Sequence, residues 1–130
     1  MDNKVSYWLE ISEYDLQTAR AMLDTGRYLY VGFMCHQSIE KIFKAHYQFK
    51  FGKMPPRTHN LAYLAKETGL LAIMTDEHVD FLDELEPLNI QARYPEYKDL
   101  IHKKLDINYA QSIMEKSEDL YKWIEKKLYQ

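Results

Sequence analysis

The sequence predicts an all-α protein, an antiparallel four- to five-helix bundle spanning residues 1–130 as one domain. Three observations carry this expectation. Apolar residues recur at steps of three and four almost throughout, which places them on one face of successive helices. Four glycines and four prolines in 130 residues leave room for long uninterrupted elements. No segment alternates apolar and polar residues over a useful strand length.

The first helix carries Val5, Trp8, Leu9, Ser12, Leu16, Ala19 and Leu23 on one face, and Gly26 offers its C-terminal stop. The second runs through Val31, Cys35, Ser38, Ile42, Ala45 and Phe49. Gly52, Pro55 and Pro56 then break the period. Thr58 is positioned to cap a short third helix that holds Leu61, Leu64 and Ala65 and ends at Gly69. Thr75, followed by Asp76 and Glu77, starts a fourth helix, because carboxylates are favourable in a first turn. Its inner face is Phe81, Leu82, Leu85, Leu88 and Ala92, with a kink expected at Pro87 and an end near Arg93 before Pro95. The last helix presents Ala110, Ile113, Met114, Ser117, Tyr121, Ile124 and Leu128.

Composition narrows the function classes. The formal net charge is −3, so an anion site must be a local patch. The single cysteine, Cys35, excludes an internal disulfide framework and falls on an apolar stripe. The opening MDNKVSYWLE lacks the apolar core of a secretory signal, and no apolar run nears the roughly 18 residues of a membrane span. A cytoplasmic protein without membrane contact is expected. Eleven tyrosines suit interfaces or a lined groove, or plain helix-packing aromatics.

Three stretches can carry chemistry. In CHQSIEKIFKAH, residues 35–46, His36, Glu40 and Lys44 share one side of the second helix, with Gln37 and Lys41 beside them. That side is either a solvated, charge-laced face or a polar strip set opposite another helix's arginine. In PPRTHNL, residues 55–61, Arg57 and His59 sit at a helix start, where free N–H groups favour an anion. The plainer reading is a capped start with an exposed imidazole. In IQARYPEYKDLIHKK, residues 90–104, Arg93 precedes Tyr94, Tyr97, Lys98, His102, Lys103 and Lys104. Arginine forks onto phosphate and tyrosine stacks on bases, or the stretch is simply a helix end and a loop. HExxH, Glu-x-x-His pairs, a glycine-rich phosphate loop and GxSxG are all missing, so no metal or cofactor is expected.

Taken together, HQSIEKIFKA, THNL and ARYPEY occur in the order seen in the HEPN family, and the chain resembles that family over roughly residues 5–128. The resemblance implies a helical bundle that dimerises and works beside a separately encoded minimal nucleotidyltransferase, as in toxin–antitoxin pairs. It also implies a metal-independent RNase site, an arginine followed four to six residues later by histidine. Here Arg93 matches the arginine, while eight residues separate it from His102. The RYP version is closer to the nucleotide-binding subgroup. The leading expectation is therefore a homodimer that binds a nucleotide or RNA phosphate through Arg93. Lys41 and Lys44 support it, Glu40 orients the arginine, Tyr94 or Tyr97 stacks on a base, and His59 contributes. The alternatives are an RNase that uses Arg93 with His102 or His59, and a helical adaptor without ligand.

Overall fold

The computed structural model describes residues 2–91, 94 and 106–130. Among these residues there are five α-helices: α1 (Asn3–Asp24), α2 (Tyr28–Phe51), α3 (Leu61–Glu67), α4 (Asp76–Gln91) and α5 (Ile107–Leu128). A 3₁₀ turn, Leu70–Ile73, joins α3 to α4. Among the described residues there is no strand. The predicted all-α bundle is the observed one, with the 3₁₀ turn as an unanticipated addition.

Local chemistry sets the ends. The Asp2 carboxylate accepts the Val5 N–H at 2.9 Å and caps α1. Gly26 takes a left-handed φ of 77°, and Arg27 N–H then returns to Met22 O at 2.8 Å. Asp106 caps α5 by accepting the Tyr109 N–H. At α4 the Thr75 hydroxyl accepts the His78 N–H while Thr75 N–H faces His78 Nδ1, a reciprocal cap with histidine in the usual glutamate position. The cap of α3 is Asn60, which accepts the Tyr63 N–H. The expected cap, Thr58, stands two residues earlier and accepts the Asn60 N–H instead. A cap must be the residue directly before the first helical turn, and α3 opens at Leu61.

Helix α2 is central among the described residues and touches each of the other four described helices. Fifteen of its 24 residues are buried, so burial wraps around the helix rather than following one stripe. The core combines Ala19 and Leu23 of α1, Ile39, Ile42 and Phe43 of α2, Leu61 and Leu64 of α3, Leu82 and Leu85 of α4, and Ile113 and Ile124 of α5. All seven residues expected on the inner face of α5 are buried. Phe49, expected on the α2 stripe, is 54% exposed because the stripe leaves the bundle in the last turn of the helix. Helix α4 runs on through Pro87 to Gln91. The carbonyl that Pro87 cannot satisfy belongs to Asp83, an exposed position open to water. Gly32 lets α2 approach α4 closely, since a Cβ there would meet Leu88 Cδ1 at 2.6 Å.

Candidate functional site

The central position of α2 decides the fate of its polar strip. His36 and Glu40 are 0% and 1% exposed, and Lys44 is buried too. The solvated-face reading is therefore overturned: α1, α4 and the loop before α3 cover that side. Buried charges need partners, and each has one.

Glu40 is the hub. One carboxylate oxygen accepts from His59 Nδ1 at 2.8 Å and the other from Lys44 Nζ at 3.1 Å. His36 Nδ1 lies 3.9 Å from the first of these oxygens, buried and without a hydrogen-bond partner among the described residues. Its other nitrogen, Nε2, is 2.8 Å from Glu86 of α4. Glu86 also accepts the Leu61 N–H at 3.3 Å, which ties α4 to the start of α3. Beside this chain Lys41 donates to Gln37 at 2.9 Å and faces Asp15 of α1 at 3.7 Å. Gln37 in turn donates to Asn89 of α4. Trp8 of α1 closes the edge, its ring centroid 5.6 Å from Lys44 Nζ.

Burial works against the charge on Glu40. The His59 hydrogen bond, with Lys44 and Lys41, outweighs it and holds the carboxyl below its ordinary range. Burial pushes the Asp15 carboxyl up, against the pull of Lys41. An ionised Glu40 can only accept, so His59 must donate through Nδ1, which leaves Nε2 as its basic nitrogen. The His59 side chain is 56% exposed, so that nitrogen is within reach of a ligand. Two lysines face three carboxylates, Asp15, Glu40 and Glu86. The cluster is thus one charge negative with neutral imidazoles and one positive with both protonated.

The sequence-predicted residues divide accordingly. Glu40, Lys41, Lys44 and His59 come together. Tyr94 is exposed on the surface. Arg93, Tyr97 and His102 lie outside the described residues, as do Ala92, Pro95, Lys98, Lys103 and Lys104. Within the described residues the strip faces Glu86 and Asn89 rather than an arginine. The expected anion site at the α3 start is filled from inside the chain, by Glu86 on the Leu61 N–H and by the Asn60 cap. Arg57 is exposed. Sequence reasoning missed Asp15, Glu86 and Asn89. Glu86 and Asn89 did carry a signal, because Leu82, Glu86 and Asn89 step by four and three along the inward face of α4.

A separate groove of about 500 Å³ lies between α4 and α5, floored by Phe81 and Leu120, with Glu77, Asp80, Glu84 and Asp119 around it beside His78 and Lys116. Four carboxylates against one lysine give its lining a net negative charge. Among the described residues no group of three or more His, Cys, Asp and Glu side chains is placed to hold a metal ion. None of the described helices is long and apolar enough to cross a membrane.

Comparison with known proteins supports the architecture. A crystal structure of TT1696 from Thermus thermophilus matches with a TM-score of 0.82 at 20% identity, covering 97% of this chain and 99% of that one. At that identity the likeness speaks for the fold. No curated protein matches the sequence. The model of the HEPN domain matches residues 5–127, nearly the whole chain, and the chain accordingly belongs to the HEPN domain family.

Proposed function

We propose that this HEPN chain is a cytoplasmic homodimer that binds the phosphate of a nucleotide or RNA and acts with a separately encoded nucleotidyltransferase as a toxin–antitoxin-like pair. The observation that supports this most is the Glu40 hub, which holds Lys44 and His59 in fixed positions beside Lys41 and Trp8. Prepositioned donors lose little freedom when a ligand arrives, which favours binding. Arg93 adds the bidentate phosphate contact, and Tyr94 or Tyr97 adds stacking. A ligand that binds only the folded state raises the melting temperature. AMP at millimolar concentration is therefore expected to raise it in wild type and less in Arg93→Ala and Lys41→Met. No shift with any nucleoside monophosphate overturns the binding reading. A monomeric mass by light scattering at micromolar protein overturns the dimer.

A second reading, a metal-independent RNase, is favoured by one specific contact. Glu40 fixes the His59 ring so that Nε2 carries the lone pair, the arrangement a general base needs. In this reading His59 or His102 takes the proton from a ribose 2′-OH while Arg93 stabilises the phosphate. Incubation with mixed-sequence RNA in EDTA tests it. Cleavage by wild type that is lost in His59→Ala but kept in His102→Ala assigns the base to His59. No cleavage by wild type removes an intrinsic RNase.

A further inference from the structure

The chain separates its charges along the sequence. Residues 41–66 hold five lysines and Arg57 and no Asp or Glu, whereas residues 67–91 hold seven carboxylates and no Lys or Arg. The fold turns that separation into two surfaces. The basic run includes the last turn of α2 and the loop behind it, where Phe49, Phe51 and Met54 are exposed beside Lys53 and Arg57. From the acidic run, Glu77, Asp80 and Glu84 line the groove between α4 and α5, joined by Asp119 of α5. Among the described residues Lys53 and Arg57 have no ion pair, and neither have Glu77, Asp80 and Asp119. Within one chain no residue of the basic tip, 49–57, lines the groove.

The tip is built rather than slack. Gly52 N–H closes α2 on Gln48 O at 2.9 Å, and the Phe51 ring rests on Tyr47 at 4.7 Å between centroids. Pro55 is buried, and Thr58 N–H returns to Pro56 O at 3.0 Å. A segment held this way loses little freedom when it docks. Large apolar side chains left in the open beside unpaired charges mark a surface for protein contact. Tip and groove also lie toward one end of the bundle. His46, late in α2, bonds the Ile124 carbonyl of α5, and His78, early in α4, meets Trp123 of α5. A two-fold axis beside that end carries each tip to the other copy's groove, so one operation makes the contact twice. We propose that a second copy of this chain seats its tip, residues 49–57, in the groove between α4 and α5. Lys53 and Arg57 then meet Glu77, Asp80 and Asp119, and the exposed apolar side chains cover Phe81 and Leu120. This rests on the homodimer reading above and names the surface that forms it.

The test exchanges the charges. Lys53→Glu with Arg57→Glu makes the tip acidic, and Asp80→Lys with Asp119→Lys makes the groove basic. All four side chains are exposed and stand outside the Glu40 network. Sedimentation of wild type at micromolar protein is expected to show a dimer that weakens as salt rises, because exposed charges are screened. Each double variant alone sets like charge against like, and its dissociation constant is expected to rise about tenfold or more. An equimolar mixture of the two is expected to regain wild-type affinity, since both contacts again pair opposite charges. A folding defect in either variant does not produce recovery on mixing. Melting temperatures are measured alongside, and where a double variant melts early, Arg57→Glu and Asp80→Lys carry the same comparison. A dimer of unchanged affinity in both folded variants overturns this surface and leaves the homodimer reading standing. Variants that weaken alone and fail to recover together overturn the pairing of tip with groove. A monomeric wild type at micromolar protein removes both this inference and the reading beneath it.

Discussion

Replacing Glu40 with glutamine is the sharpest test of the buried network. Glu40 accepts from His59 and Lys44 through different oxygens, so glutamine keeps the volume while setting an NH₂ group against one of two donors. It also leaves the Lys44 ammonium, largely buried, without its counter-charge. Removing one partner of a buried ion pair costs about 3–5 kcal/mol. The long lysine stem can relax once Glu40 is neutral, which favours the lower end, about 3 kcal/mol at pH 7. For a protein of this length that corresponds to a melting temperature lower by about 10 °C. The pH dependence follows from the sign of the Glu40 shift. Burial raises its pKa, but His59, Lys44 and Lys41 together bring it below the ordinary 4.5. A depressed carboxyl contributes stability that is complete above the unfolded value and lost as pH falls through the folded one. Urea unfolding of wild type and Glu40→Gln should therefore differ fully at pH 7 and converge only below about 4.5. Adding Lys44→Met to Glu40→Gln should recover part of the loss, since the pair is then removed together. A deficit under about 1 kcal/mol at pH 7, or a gap that stays constant down to pH 3, would refute the reasoning.

Three further outcomes are expected. Gly32→Ala should lose about 1–3 kcal/mol in urea unfolding, because the new methyl meets Leu88 and overpacking outweighs the gain in helix propensity; Gly32→Ala with Leu88→Ala should lose less than the sum of the two. His46 is buried, with Nε2 2.8 Å from Ile124 O, and burial lowers its pKa below 6.5 despite that bond. The unfolded chain then binds the proton first, so stability should fall as pH drops below about 6.5, and His46→Gln should flatten that slope; parallel pH profiles for the two proteins would count against it. Cys35 is fully buried and its thiol is pushed up to about 12, first by burial, so it should resist a thiol reagent in native buffer and react at once in denaturant; rapid native labelling contradicts the packing around α2.

The bundle was legible because its helices bury one face each, and a one-faced helix writes its period into the chain. Helix α5 is the clear case: every residue expected inside is inside. Helix α2 was legible as a helix and misleading as a surface. His36, Glu40 and Lys44 look the same in sequence whether they face water or other side chains. Only the packing of α1, α3, α4 and α5 around α2 decides, and that is a property of the whole chain. The same limit explains Trp8. Its spacing places it with Val5 and Ser12, both buried, yet spacing cannot say where the neighbouring helix ends. Thr58 was a near miss: two capping residues stand close together, and the chain uses the one nearest the first turn.

The lysines of the site differ in how much of their charge the network consumes. Lys44 is 3.1 Å from a carboxylate oxygen whose acidity already reflects that contact, so engaging it with a ligand disturbs Glu40 and, through Glu40, His59. Lys41 faces its carboxylate at 3.7 Å and spends its short hydrogen bond on a neutral amide, Gln37. Asp15 meanwhile has its carboxyl pushed up by burial, which makes it the weaker anion. In the phosphate-binding reading proposed above, Lys41 is therefore the less committed cation, and a ligand on Lys44 would compete with its contact to Glu40. The polar strip of α2 is thus one connected network: Lys41 bonded to Gln37 and facing Asp15, Lys44 paired with Glu40, and the His59 imidazole oriented by that same carboxylate.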